Sequence, residues 1–522
     1  MKLKSLIIII LVGVTLGISC KKTWLDVNTS PNDLPTSVSN YVFSGAENTT
    51  AYNYWGDNGT GQRSNELGAY WSGQWSQSSS YILVTNIFGY LFTNGDFNYW
   101  DDMYNNLQDY QYVINNAEKD GQKFLIGPAQ VMKAMIFQNL VDLYGNIPYS
   151  DALKGLSSIA PKFDDQKAVY DGLIKLLDSA TTNIKANTWV PNVVGSDILF
   201  KGDKTKWLRF VNSLKMRILI RQSRIPGRDA YIIGEINKIV AEGSGFIHNA
   251  TAPADRDAAV NPGFQAAAGK QNPFYDRWGY DAAGTTRSLG RFPRPSKFLF
   301  DLLIANNDTL RLKRLAYAIG GENANSPGTS KIAEVVSNYK AVPFGAGSGY
   351  TGPSTSYLGP SMLVKGQYKP VVLMTAAESL FLLAEAKQRF PAVTLPGTAQ
   401  SYYEDGVRES FRILGVPDPL TNANALLTGG KADADWSAST DKLKAIAIQK
   451  WLALTNFNGL EAWAEYRRTG YPVTPQSLAV SDPNKRPVRL YYPNTELGSN
   501  EANVKAQGSI DVFATRLFWD ID

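Results

Sequence analysis

The chain has 522 residues with a formal net charge of +5, and 44% of its residues are hydrophobic. This apolar content allows a large core and argues against a disordered chain, while the small charge and the absence of Lys/Arg runs argue against a nucleic-acid-binding protein. The chain has 12 Trp, 27 Tyr and 22 Phe but a single His. Rings among many amide and hydroxyl side chains suit sugar binding, but composition alone favours a large aromatic core.

Residues 1–19 are typical of a secretory signal peptide. Lys2 and Lys4 precede an apolar run, Leu6 to Val12, that is too short to span a bilayer, which takes about 20 residues. The run is followed by Leu16-Gly-Ile-Ser-Cys20, which resembles a bacterial lipobox, and Cys20 is the only cysteine. The resemblance implies that Cys20 becomes the lipid-bearing first residue of the mature protein. The alternative is an ordinary secreted protein with a chance Cys near its cleavage site.

Residues 20–40 contain Cys20 and a polar leader with turn residues and no helical period, so the folded body is predicted to begin at residue 41. Farther on, apolar residues recur at three- and four-residue steps, which predicts helices. The clearest is Ala129–Tyr144, which Gly145 and Pro148 end. The other predicted helices are Phe97–Ala117, Asp165–Ala186, Lys204–Gln222, Asp229–Glu242, Ser296–Asn306, Thr375–Arg389, Thr398–Leu414, Asp441–Thr455 and Gly459–Thr469.

Two long stretches, 243–294 and 320–369, lack this period and are rich in Gly and Pro. Stretches of that length inside a compact domain are either functional or contain elements that periodicity does not detect. No Ser/Gly-rich linker divides the chain. We therefore predict a mainly α fold, with helical hairpins packed side by side in one large domain, residues 41–522, and long irregular loop segments.

The residues favour a protein without catalytic activity, cofactor or metal. His248 is the only histidine, and no nucleophile motif lies near it. The glycine-rich run 345–352 is followed by Pro353 and more turn residues instead of the helix that a dinucleotide loop needs. Asp433-Ala-Asp435 is too short for a calcium loop. A glycoside hydrolase needs only two carboxylates, so it remains the alternative enzyme hypothesis.

The candidate ligand-binding residues come from two polar segments that carry aromatic rings. They are Trp71, Trp75, Tyr81, Trp278, Tyr280 and Arg287. Because Trp71 and Trp75 are four residues apart, burial on one helix face is an open alternative for them. Trp278 and Tyr280 lie in a segment without helical period and are expected to be exposed.

Other aromatic and charged residues are assigned to the interior. Trp100, Trp207, Trp451 and Trp463 lie on periodic helices and are predicted to be core residues. Arg467 and Arg468 are predicted to pair with Glu465 or neighbouring acids instead of binding ligand.

Several segments, taken in chain order, resemble the SusD/RagB lipoproteins of Bacteroidetes, and most closely the SusD-like branch labelled starch-binding and outer-membrane-associated. The segments are Asp26-Val-Asn-Thr-Ser-Pro-Asn-Asp33, Val131-Met-Lys-Ala134, Asp142-Leu-Tyr-Gly-Asn-Ile-Pro-Tyr149, Ala376-Ala-Glu-Ser-Leu-Phe-Leu-Leu-Ala-Glu-Ala386, Gln449-Lys-Trp-Leu-Ala-Leu454, Glu465-Tyr-Arg-Arg-Thr-Gly-Tyr-Pro472 and Tyr491-Tyr-Pro-Asn494. The resemblance runs from Cys20 to the C-terminus and is specific for the family but not for the ligand.

The resemblance implies a helical body with four tetratricopeptide-like hairpins. It also implies a cell-surface lipoprotein of the outer membrane that captures an oligosaccharide and delivers it to a SusC-like TonB-dependent transporter, without catalysis. Some relatives of RagB bind peptides, so a peptide ligand, or a role mainly as a lid or scaffold for the transporter, is the alternative.

Overall fold

The computed structural model describes residues 37–56, 63–321 and 333–521. Cys20, the predicted signal peptide and most of the predicted leader lie outside these residues. The helices of the described chain are α1 (Ser39–Trp55), α2 (Ser64–Trp71), α3 (Thr85–Phe88), α4 (Trp100–Asn116), α5 (Ile126–Tyr144), α6 (Gln166–Ala186), α7 (Lys204–Arg221), α8 (Asp229–Glu242), α9 (Pro273–Trp278), α10 (Lys297–Ala305), α11 (Thr309–Leu315), α12 (Pro360–Leu363), α13 (Ala376–Arg389), α14 (Ala399–Leu414), α15 (Pro419–Leu427), α16 (Lys442–Leu454), α17 (Gly459–Thr469), α18 (Asn494–Ser499) and α19 (Glu501–Lys505).

Short strands in the described chain form two separate two-stranded antiparallel sheets. The strands are β1 (Trp75–Gln77), β2 (Ala258–Val260), β3 (Pro293–Pro295) and β4 (Val371–Met374). β1 pairs with β3, with Trp75 opposite Pro295. β2 pairs with β4, with Ala258 opposite Met374 and an irregularity after Ala258. One sheet therefore joins the end of the first irregular stretch to the segment that follows α2, and the other joins that stretch to the segment that precedes α13.

The long helices form the tetratricopeptide-like body. The pairs α4/α5, α6/α7, α13/α14 and α16/α17 pack as hairpins, and α5 packs on α6. α7 contacts α13, which also packs on α16, while α17 packs on α2. α1 packs on α4 and α2, so it belongs to the same body. The predicted mainly α fold of packed hairpins is confirmed.

The predicted helices agree closely with the structure because their end signals act locally. Asp165 caps α6 by accepting from the N–H groups of Lys167 and Ala168. Gly145 ends α5 with a φ of +80°, a backbone region that favours glycine. Thr375 caps α13 through the Glu378 N–H. The Glu378 carboxylate does not return a capping bond to Thr375 but binds Arg217 of α7.

Periodicity did not predict α1, α2, α3, α9, α11, α12, α15, α18 or α19. In α1 the buried face includes Asn40, Glu47 and Thr50. Because these residues are polar, the buried side of α1 does not stand out as an apolar stripe. These polar residues are buried by contacts with other segments of the chain, and the local sequence pattern does not show such contacts.

The interior is dense in aromatic rings and also contains paired charges. Trp100, Trp207, Trp451 and Trp463 are at most 3% exposed, as predicted. Arg468 pairs with Glu465 at 2.6 Å, as predicted. The predicted acidic partner for Arg467 is wrong, because its guanidinium donates to the carbonyl oxygens of Val488 and Asp142 and lies over the Trp463 ring.

One described stretch, Lys123–Tyr144, is long and apolar enough to cross a membrane by length and composition. In the fold, 89% of its most apolar window is buried inside the protein. A helix that is apolar on most sides and enclosed by other helices is typical of a large soluble core.

Candidate functional site

Trp71 and Trp75 are buried, as the alternative predicted, but they do not share a helix face, because Trp71 ends α2 and Trp75 lies in β1. Trp75 is fully buried, and its indole N–H donates to Asn456 Oδ1 at 2.9 Å. Trp71 is 5% exposed, donates to the Ile87 carbonyl and packs edge-on against Trp463. Both rings have their polar tip satisfied inside the protein, so neither offers a face to a ligand.

The expected exposure of Trp278 and Tyr280 is wrong. Trp278 is 3% exposed and packs edge-on against Trp75, and Tyr280 is fully buried against the Tyr275 ring. The cause is the short helix α9, whose N-terminus Asn272 caps by accepting from the Tyr275 N–H. This helix has only about one and a half turns, which is too short to show a helical period in the sequence. Trp278 at its end, and Tyr280 two residues later, nevertheless point into the core.

Tyr81 and Arg287 keep part of their side chains at the surface. The Tyr81 hydroxyl donates to the Ser288 carbonyl at 2.9 Å, and its ring packs edge-on against Phe292. Arg287 forms an ion pair with Asp276 of α9, and its side chain is 38% exposed. Because Ser288 follows Arg287 in the chain, this hydrogen bond brings the two predicted residues Tyr81 and Arg287 close together.

An open cleft of about 550 Å³ lies between the outer face of α1 and the loop 262–270. The α1 wall is formed by Tyr41, Ser44, Gly45, Asn48 and Tyr52. These positions follow the three- and four-residue steps of one helix face. Tyr41 is 70% exposed and Tyr52 is half-buried. From Tyr41 to Tyr52 the helix rises about 16 Å, so the cleft is elongated.

The opposite wall is formed by a loop with its own hydrogen bonds. Asn261 Oδ1 accepts from the N–H groups of Gly263 and Phe264, which fixes the entry turn. Phe264, 7% exposed, supplies an apolar floor, and Gln265 and Lys270 also line the cleft. Across the part of the chain that the structure describes, the side chains of Asn48 and Gln265 have no hydrogen-bond partner, so both amides are available to a ligand.

A buried carboxyl group holds α1 against the base of the cleft. Glu47 is fully buried, and its Oε2 accepts from the Ile198 N–H at 2.7 Å. Ile198 lines the cleft, and its carbonyl accepts from the Asn261 N–H. Burial, and after it the negative charge of Asp197, raise the pKa of Glu47 well above its ordinary value. Ile198 thus contacts both walls of the cleft: its N–H binds Glu47 of α1, and its carbonyl binds Asn261 at the start of the loop.

The cleft suits an uncharged ligand rich in hydroxyl groups. Among the described residues that line it, Lys270 is the one cation and none is an acid. Burial, and then the charge of Asp276, raise the pKa of Tyr52, so its phenol stays protonated. Tyr41 and Tyr52 can pack on the C–H faces of a sugar while Ser44, Asn48 and Gln265 bond to its hydroxyls.

The cleft and the predicted surface residues are neighbours. Tyr52 lies close enough to Asp276 to be influenced by its charge, and Asp276 forms the ion pair with Arg287. Arg287 is thus linked to the α1 wall through Asp276, but neither Arg287 nor Tyr81 lines the cleft. The signal for the α1 wall was present in the sequence, since residues 41, 44, 48 and 52 share one helical face. It was not used because α1 itself was not predicted.

Candidate metal-binding clusters and the surroundings of the single histidine bear on whether the described ranges hold a metal or catalytic site. No cluster of three or more His, Cys, Asp or Glu residues that could hold a metal ion occurs among them. His248 is largely buried, with its Nδ1 3.5 Å from Ser379 Oγ. Burial, followed by the charges of Arg256 and Arg209, lowers the pKa of His248 to about 4, so the ring is neutral at neutral pH.

Residues 31–493 match the profile of the SusD-like family described as "Starch-binding associating with outer membrane". The chain belongs to this SusD-like family. No curated protein sequence matches the SusD-like protein significantly.

Solved structures of SusD homologues share the fold of the SusD-like protein. A chitin-binding SusD homologue from Flavobacterium johnsoniae has a TM-score of 0.68 and 22% identity, with 92% of this chain and 99% of that chain covered. A SusD homologue from Bacteroides uniformis has a TM-score of 0.70 and 24% identity, with 92% of this chain and 100% of that chain covered. A SusD-like protein from Bacteroides thetaiotaomicron has a TM-score of 0.71 and 23% identity, with 92% of this chain and 99% of that chain covered.

Membership gives a function at the level of the family. The family is described as starch-binding and associated with the outer membrane. Its description names starch, and one structural neighbour is a chitin-binding protein. Carbohydrate binding is therefore the family-level function.

Proposed function

We propose that this SusD-like protein captures an oligosaccharide at the cell surface and delivers it, chemically unchanged, to a SusC-like TonB-dependent transporter. The observation that carries the ligand class is the cleft beside α1, which no acid lines among the described residues. There Tyr41 and Tyr52 flank the amide of Asn48, which has no partner in the described chain. Its length along the helix suits an extended sugar chain. The family description and the chitin-binding neighbour support the same ligand class.

The proposed attachment to the membrane is through lipid on Cys20. The basic and apolar segment 1–19, followed by a polar leader, supports this interpretation. More than one acyl chain is needed for stable anchoring, because a single chain binds a bilayer only marginally. Replacing Cys20 with Ala should move the protein from the membrane fraction to the soluble fraction. Retention of the Cys20→Ala protein in the membrane would contradict lipid anchoring.

The ligand is tested by isothermal titration of the soluble protein that begins after Cys20, with chitin and malto-oligosaccharides and a panel of short peptides. We expect an oligosaccharide to bind, and Tyr41→Ala or Tyr52→Ala to weaken it at least tenfold, about 1.4 kcal/mol, because a few aromatic anchors carry most of the binding energy. Tyr368→Ala is the matched control, since Tyr368 is 49% exposed and does not line the cleft.

Two outcomes would redirect the proposal. Unchanged affinity in both cleft variants, with weaker binding in Tyr81→Phe or Arg287→Ala, would move the site to the Arg287 end of the surface. Binding of a peptide and of no oligosaccharide would replace the ligand class.

A further inference from the structure

A second cavity, separate from the α1 cleft, has a volume of about 270 Å³. Its base is formed by Trp55, Phe274 and Phe457, which are at most 5% exposed. Ala254 and Pro370 line it as well and are exposed, so the cavity opens to solvent between them. Pockets with an apolar base and a few polar groups are typical of small-molecule sites.

One wall of this cavity holds a cation without an anionic partner in the described chain. Lys369 lines the cavity, and its ammonium donates to the Ser361 carbonyl. Across the described ranges Lys369 forms no ion pair. Burial, and then the charge of Arg314, lower the pKa of Lys369 to about 8. At neutral pH the side chain is still mostly charged, at a cost that an anionic partner would remove.

Two further polar groups on the cavity wall lack partners among the residues that the structure describes. Ser361 is 2% exposed, and its hydroxyl makes no hydrogen bond there. Asn456 is 1% exposed; its Oδ1 accepts from Trp75, but its Nδ2 has no acceptor. Unpaired buried polar groups are rare and each calls for an explanation.

The acid in the lining does not supply the missing acceptor. Asp257 accepts from the Ala376 N–H at 2.8 Å through one oxygen and from Arg412 at 2.6 Å through the other. The ammonium of Lys369, which has donors beyond the one that binds the Ser361 carbonyl, and the unpaired Nδ2 of Asn456 are donors, and the Ser361 hydroxyl can act as one. The cavity therefore presents donors to an occupant that must bring acceptors.

We propose that this cavity binds a small organic acid, in which an apolar ring or branched chain contacts Trp55 and Phe274 while a carboxylate accepts from Lys369 and Ser361. A charge-assisted hydrogen bond to a carboxylate is stronger than a neutral one. The apolar base explains why the occupant is not a fully polar anion. The site is separate from the glycan cleft and does not depend on the proposed function.

The test uses phenylacetate and its uncharged analogue phenylacetamide as probes, with isothermal titration of the soluble protein. We expect saturable binding of phenylacetate to the wild type, and binding of phenylacetamide at least tenfold weaker. Lys369→Met should weaken phenylacetate at least tenfold. Lys365→Met, on an exposed lysine outside the cavity, should not. Affinity of the wild type should also fall between pH 7 and pH 9.5, because Lys369 then loses its proton.

A second variant tests the site without replacing Lys369, because that replacement could itself impair folding. Ala254→Phe places a ring at the exposed mouth and should abolish phenylacetate binding while leaving the unfolding midpoint unchanged. No saturable binding of phenylacetate by the wild type, or equal affinity in wild type and Lys369→Met, overturns the proposal. Neither Lys369→Met nor Ala254→Phe should change oligosaccharide affinity. A negative result with phenylacetate can therefore be told apart from a failure of oligosaccharide binding at the α1 cleft.

Discussion

The guanidinium of Arg217 binds both carboxylate oxygens of Glu378, with Nε 2.6 Å from Oε1 and Nη2 2.9 Å from Oε2. Both side chains are at most 1% exposed, and the pair joins α7 to α13. Farther along α7, Arg221 binds Glu461 and Glu465 of α17. An unpaired buried charge is costly, so these ion pairs favour the arrangement of hairpins that brings their members together.

Arg217→Met should therefore destabilise the fold strongly. It leaves the Glu378 carboxylate buried without its partner, which costs about 3–5 kcal/mol. The double variant with Glu378→Leu should recover part of that loss. Urea unfolding followed by circular dichroism measures both. Lys297→Met is the control, because the Lys297–Asp301 pair is 57% exposed on each side and contributes about 0–1 kcal/mol. Equal midpoints for Arg217→Met and wild type would contradict the role of the pair.

Glu385 should make the protein sensitive to acid. Burial alone would raise the pKa of Glu385, but the charges of Arg468 and Arg389 lower it to about 2. A carboxyl whose pKa is lowered by folding stabilises the fold above its ordinary pKa, and this contribution disappears as the pH falls towards 2. Glu385→Gln should thus be less stable than wild type at pH 6, with the difference shrinking towards pH 3. A difference that is constant over pH 3–6 would refute this assignment.

The pH dependence of stability that Glu47 causes should have the opposite sign to that of Glu385. Its pKa is raised well above its ordinary value, mainly by burial, so the folded protein holds a proton that the unfolded chain releases above about pH 4.5. Stability therefore falls as the pH rises towards the folded pKa. Glu47→Gln removes this dependence and should gain stability relative to wild type between pH 5 and pH 8. Glu118→Gln, on an exposed carboxylate, should show no such trend in the same urea series.

Gly45 gives a way to close the cleft without disturbing the fold. A Cβ at this position would meet no atom within 4 Å, and replacing Gly inside a helix favours the helix by about 1 kcal/mol. Gly45→Leu should therefore unfold no earlier than wild type but lose oligosaccharide affinity at least tenfold in titrations. Gly45→Ala, which adds one methyl, should bind nearly as wild type does. Full affinity in Gly45→Leu would show that the ligand lies elsewhere.

Trp278 should matter for stability and not for ligand contact. Its ring packs in the core against Trp75, and Arg277 lies 4.6 Å from the ring centroid. Trp278→Ala should cost about 3–5 kcal/mol, read from the urea midpoint, while the folded fraction keeps its oligosaccharide affinity. Weaker binding at full stability would instead restore Trp278 to the site.

The helical body could be predicted from the sequence because its signals are local. The apolar stripe of α5, the Asp165 cap of α6 and the Gly145 stop each act within one or two turns of chain. The site could not be predicted in the same way. Tyr81 and Arg287 remain predicted ligand-binding residues that rest on composition, and Trp278 and Tyr280 were expected to be exposed because α9 is too short to show a period.

By itself, the sequence determined the family, the export signal pattern, most helices and the aromatic core. Only the tertiary structure decided which rings remain at the surface, since Trp75 is buried by partners as distant in sequence as Asn456. The same holds for charge: the environment of Lys369 or Glu47 is set by segments that meet only in the fold. Local patterns record a residue's neighbours along the chain, whereas exposure and protonation depend on neighbours in space.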